Sequence, residues 1–209
     1  MITRVQSLPA STRVEPYLLR HAIGQASTLS RPLRSRRRRV STKLGLTRDP
    51  VRRLMCKLSR YHWALLVGPK HEDEKTRATR YHAKQHLMRW YYDEVNITTG
   101  PTHMILVRIL AAKVEKMDRV ESILRGVPVR PYLPGWTCRS WVTEAYEKLR
   151  TDGKALGTCP DWETLSDIAL WYVRQKTEKH RFDGQAPRNQ FNTRKVATYS
   201  MADGRETIP

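Results

Sequence analysis

Three side chains in this chain are of the types that cysteine acyl chemistry requires: a thiol at Cys138 and imidazoles at His62 and His82. A cysteine nucleophile needs a thiolate of depressed pKa, an imidazole within hydrogen-bond reach, and a polar group that orients the imidazole. Cys138 stands in Thr137-Cys138-Arg139-Ser140-Trp141-Val142, just after Pro134-Gly135. Val142, Ala145 and Leu149 follow it at helical spacing, which predicts a helix over about 138–150 that opens on the thiol. A helix N-terminus, with its dipole and unbonded N–H groups, favours a thiolate. A strand-borne imidazole facing it would complete a nucleophile–base pair.

The histidines sit in strand-like surroundings. Tyr61-His62-Trp63-Ala64-Leu65-Leu66-Val67-Gly68 is a short apolar run closed by glycine, the pattern of a buried strand. His82 lies in Arg80-Tyr81-His82-Ala83, a second short strand over about 80–84, with a charged loop between the two. If the strands pair as a hairpin, both histidines belong to one sheet, and the register decides whether they share a face. Further strands are expected at 87–95 and within His103 to Val114, where Met104 to Leu110 is the strongest candidate. Helices are expected at about 117–125, stopped by Gly126, and at about 161–179. The loop Val127 to Gly135 holds three prolines and delivers the chain to Cys138 in a fixed direction. The sum is an α+β domain at 58–184, with a small antiparallel sheet packed by helices.

The charge is uneven. The 209-residue chain has a formal charge of +19, and residues 1–59 hold 14 Lys and Arg against only Glu15 and Asp49. Residues 1–57, rich in Ser, Thr, Pro and Arg, are expected to be a disordered basic arm. The arm fits a transit peptide, a nuclear address, a phosphate-binding tail through Arg36, Arg37, Arg38 and Arg39, or a merely solvated extension. Residues 185–209 are expected to be a disordered polar tail. Cys56, Cys138 and Cys159 form neither a disulfide framework nor a CxxC pair, which suits a reducing, intracellular, cytoplasmic setting. A nuclear or mitochondrial one follows if the arm is a targeting segment. No apolar run nears the roughly 18 residues that span a bilayer. No metal and no cofactor is expected, because no ligand pair has compact spacing.

These motifs resemble a known group. Tyr-His-Trp-Ala-Leu-Leu-Val-Gly is similar to the first histidine motif of lecithin:retinol acyltransferase and phospholipase A/acyltransferase proteins. Arg-Tyr-His-Ala is similar to their second histidine strand, and Thr-Cys-Arg-Ser-Trp-Val to their cysteine motif. Residues 60–182 resemble more closely an uncharacterised family of fungal proteins, through YHWALLVGPK, RYHAK, the cysteine motif, DGKALG, WYV and RFDG. The resemblance implies a circularly permuted, NlpC-type papain-like fold, in which the strand-borne histidines precede the cysteine helix. It also implies Cys138 as nucleophile, His62 as general base, His82 as the group orienting His62, and the Cys138 backbone N–H as an oxyanion donor. Trp63, Trp136, Thr137 and Trp141 flank the thiol and are expected to shape a substrate pocket. The expected activity is a thiol hydrolase or acyltransferase with an acyl, amide or isopeptide substrate. Two alternatives stand beside it. One is a binding module of the same fold without turnover, and the other a nucleic-acid binder acting through the arm.

Overall fold

The computed structural model describes residues 17–25 and 61–209, except 74, 88 and 102–104. These form an α+β arrangement in which one seven-stranded sheet is packed by three helices. The strands are β1 (Tyr17–Gln25), β2 (Tyr61–Pro69), β3 (Arg77–His86), β4 (Arg89–Thr98), β5 (Val107–Lys113), β6 (Ala197–Ser200) and β7 (Arg205–Ile208). The helices are α1 (Met117–Arg125), α2 (Cys138–Asp152) and α3 (Trp162–Glu178). Across the sheet the order is β4-β3-β2-β1-β5-β6-β7, antiparallel throughout except for the parallel pair β5–β6. No described helix is long and apolar enough to cross a membrane.

The strand predicted at 61–68 is β2, near the sheet's middle, with neighbours on both sides. Trp63 to Gly68 are buried without a break, so side chains on both faces of the strand are covered, in keeping with the unbroken apolar run. Gly68 ends the run for a steric reason. A Cβ there would lie 2.8 Å from the Ala78 Cβ on β3, so only glycine allows the approach. Alternation along β2 then divides its side chains. Trp63, Leu65 and Val67 join the core with Trp141, Val142, Ala145, Leu149, Leu165 and Ala169 of the helices. His62, Ala64 and Leu66 project to the opposite face.

The helices lie close to their predicted positions. Val120 and Leu124 are the buried residues of α1, and the N–H of Gly126 bonds back to Ser122 and Ile123. Gly153, at φ 70°, closes α2 in the left-handed conformation that glycine adopts without strain. Asp161 caps α3 by accepting a 2.7 Å hydrogen bond from the Thr164 N–H.

Three strands fall where an irregular arm and tail were expected. Residues 17–25, inside the expected arm, form β1 between β2 and β5, with Leu19, Ala22 and Ile23 buried. The strong basic composition of residues 1–57 hides this nine-residue strand. Its Arg20 is buried, yet it donates to the Pro69 carbonyl at 2.9 Å and pairs with Glu72 at 3.0 Å. Within the expected tail, β6 adds to β5 and β7 adds to β6. Each has only four residues, too few to show a period. Tertiary contacts hold them: Tyr172 donates to Glu206 and to the Ile208 carbonyl, and buried Lys176 pairs with Glu206. Arg36 to Arg39 and Cys56 lie outside the described residues.

Candidate active site

Strand register assembles the histidines. β2 and β3 pair as Leu65↔Tyr81, Leu66↔Arg80 and Val67↔Thr79, so by parity His62 and His82 share a face as diagonal neighbours. His62 Nε2 and His82 Nδ1 are 2.5 Å apart, with the rings edge to face. β3 and β4 pair His82 directly with Asp93, and His82 Nε2 lies 3.1 Å from Asp93 Oδ2. The other Asp93 oxygen binds Lys84 Nζ at 3.0 Å. A polar chain thus links Lys84, Asp93, His82 and His62.

Burial and charge set the protonation of this chain. Burial, with the nearby Arg80 cation second, pulls His62 down to about 4. Burial, His62 and Arg80 pull His82 down to about 3 against the opposing pull of Asp93. Both rings are therefore neutral near pH 7, the state a general base requires. Asp93 sits below its ordinary value, because the hydrogen bonds from Lys84 and His82 outweigh its partial burial.

Cys138 reaches the same region from the helix side. Thr137, extended at φ −145°, is the N-cap of α2 and forms a capping box with Ser140. The Thr137 N–H donates to the Ser140 hydroxyl at 3.2 Å. Cys138 is the first residue of the helix and is only 6% exposed. The backbone N–H groups of Trp63, Arg139 and Cys138 face its sulfur and favour the thiolate. Burial outweighs them, so the thiol is raised above its ordinary value, contrary to the depressed pKa expected from the helix N-terminus alone. The hydrogen bonds on the thiol come from backbone, not from an imidazole. The paired register of β2 and β3 stops at Leu65↔Tyr81, and the thiol meets β2 just beyond it, at the peptide joining His62 to Trp63.

Residues 49–208 match a family described as being of unknown function, DUF6914. The chain belongs to that family. No curated protein and no solved structure matches it. The matched span includes Cys138, His62, His82 and Asp93, and it leaves out β1.

The residues expected to line a pocket behave differently from that expectation. Trp63 and Trp141 are fully buried and form the packing beneath the thiol rather than an open wall. Parity places Trp63 on the helix side, where it packs on Trp162 at 5.7 Å. Helical spacing turns Trp141 inward, where its Nε1–H donates to the Val127 carbonyl at 3.3 Å. Trp136 is also buried, edge-on to Trp90 at 5.5 Å. Thr137 is half-buried and is occupied as the cap. The Arg139 guanidinium lies over the Trp63 and Trp162 rings at 5.2 and 5.9 Å.

Asp93, Arg80 and Arg139 were not singled out in the sequence. The partnership of Asp93 with His82 depends on the β3–β4 turn, where His86 pairs with Arg89. Leu87 occupies that turn at φ 45°, with none of the Gly, Asn or Asp residues that mark tight hairpins. No group of three or more His, Cys, Asp or Glu among the described residues could hold a metal.

Proposed function

We propose that this protein is a thiol hydrolase or acyltransferase of circularly permuted, NlpC-type papain-like architecture, acting through a Cys138 acyl-enzyme. The observation that carries the reading is the chain from His62 through His82 to Asp93, ending one peptide from the thiol at the start of α2. His62 is the general base and His82 orients it. The sulfur attacks a carbonyl carbon as the S–H proton passes to His62. The oxyanion that forms is held by N–H groups at the first turn of α2, including that of Cys138. Collapse returns the proton to the leaving amine, alcohol or thiol and leaves a thioester. Water, or an acceptor nucleophile, then attacks the thioester while His62 takes its proton. A soluble amide, thioester or isopeptide is the proposed substrate class.

The neutral histidine and raised thiol define the resting state. This is a neutral pair, so the proton moves during attack rather than beforehand. Alkylation of Cys138, followed by peptide mass spectrometry from pH 4 to 10, tests the idea. Assisted attack gives a rate that rises as His62 loses its proton near pH 4 and then stays level through neutrality. His62→Ala should convert that plateau into a rate that climbs with each pH unit, as free thiolate does. An identical profile in the His62→Ala protein would sink the proposal.

The near-complete burial of Cys138 favours one alternative, a binding module of the same fold without turnover. On that reading Cys138 stays inert at every pH below global unfolding, with or without His62.

A further inference from the structure

We infer that Asp93 is a positioning residue that fixes the tautomers of both histidines and so leaves the Nδ1 lone pair of His62 open for the thiol proton. The inference rests on the proposed roles of Cys138 and His62, but its logic comes from hydrogen-bond valence. An ionised carboxylate only accepts. His82 Nε2, 3.1 Å from Asp93 Oδ2, must therefore carry the ring proton. A neutral imidazole holds one N–H, so His82 Nδ1 is bare and can only accept. His62 Nε2, 2.5 Å away, must then be the donor. His62 in turn has one N–H, which leaves its Nδ1 unprotonated. Each bond fixes the next, and the sequence starts at the carboxylate.

Without Asp93 the same two rings can be linked in the opposite sense, with His82 Nδ1–H donating to His62 Nε2. His62 would then carry its proton on Nδ1, and the base would be blocked. Lys84 supports the selection by taking Asp93 Oδ1 at 3.0 Å, which keeps Oδ2 for His82. The other cation facing the relay is Arg80, also on β3 and on the same face, and it disfavours a second proton on either ring. The β4 strand adds no further charge toward His82, since the β4 residue paired with it is Asp93 itself.

The full-length protein, labelled with ¹⁵N, allows a direct test by long-range ¹H–¹⁵N correlation of the imidazoles at pH 7. The expected wild-type pattern is Nε2–H for both His62 and His82. Asp93→Asn replaces a pure acceptor with a group that can also donate, so a share of both rings should switch to Nδ1–H. Alkylation of Cys138 at pH 7 should fall at least about tenfold in that variant, a loss on the scale of impaired general-base assistance. A native far-ultraviolet circular dichroism spectrum and a cooperative urea transition of the Asp93→Asn protein guard against a fold defect at this hairpin. A wild-type His62 protonated on Nδ1, or Asp93→Asn protein with unchanged tautomers and rate, would overturn the inference. Nε2–H tautomers combined with an inert Cys138 would instead remove the thiol-enzyme proposal while the tautomer assignment stands.

Discussion

The two faces of the sheet are built on opposite principles, although the same strands supply both. Toward the helices, β2 presents Trp63, Leu65 and Val67 to an apolar layer that includes Trp141, Tyr146 and Leu149. On the other face it presents His62, Ala64 and Leu66. Their neighbours there include Arg20 and Arg108, both buried and both bound to Glu72, and His82, bound to Asp93. The apolar layer needs volume and shape, and most of its contacts are interchangeable in kind. The polar face needs particular partners, because a buried charge or imidazole left unpaired costs more than a lost contact. The thiol comes from the helix side and meets β2 at the His62–Trp63 peptide, beside its proposed base.

Substitutions on each face should therefore fail in different ways. Trp141→Ala removes a fully enclosed side chain between α2 and the sheet, and about 3–5 kcal/mol of stability should go with it. Urea denaturation monitored by circular dichroism measures the loss. A value under about 1 kcal/mol would show that this layer collapses easily around voids and would break the contrast.

Glu72→Ala leaves Arg20 and Arg108 buried without their shared carboxylate. The Arg108 guanidinium, 2.8 Å from Glu72, would keep only its bond to the Thr99 carbonyl. Because Glu72 is partly exposed, a loss of about 3 kcal/mol, at the low end for a broken buried pair, is expected. Adding Arg20→Met should recover part of that loss by removing one uncompensated charge. If the double variant were less stable than Glu72→Ala, packing rather than charge would govern this face.

A third effect is a pH dependence, and it grows as the solution is acidified. His62 titrates at about 4 and His82 at about 3 in the folded protein, against an ordinary value near 6.5. Below pH 6.5 the unfolded chain binds protons that the folded form refuses, so unfolding takes up protons. Their neutral burial therefore costs nothing above about pH 6.5, and stability falls progressively from there toward about 3. A denaturation series from pH 7 to pH 4 should show this slope, and His82→Gln should flatten it. An equally steep slope in His82→Gln protein would place the acid sensitivity elsewhere.

Much of this architecture can be read from residue patterns. The run Trp63 to Val67 marks a central strand, Gly126 and Asp152-Gly153 mark helix ends, and Cys138 falls at the first residue of its helix as its spacing predicts. The β1 strand is different. Its Leu18-Leu19 and Ala22-Ile23 pairs are too brief to stand out in an Arg-rich segment, and they become a strand by pairing with Trp63 to Gly68 and with β5. Asp93 is unremarkable within Trp90-Tyr91-Tyr92-Asp93-Glu94 until an unmarked turn sets it opposite His82.

The chain by itself determines periods, stops and residue chemistry: where helices begin and end, that β2 is buried, and that a thiol and two imidazoles are present. Tertiary structure alone decides which face each strand turns to the helices, that His82 meets Asp93, and that burial raises the thiol while lowering both histidines. The reason is physical. Local propensity acts over neighbouring residues, whereas register, facing and desolvation depend on contacts between segments far apart in the chain.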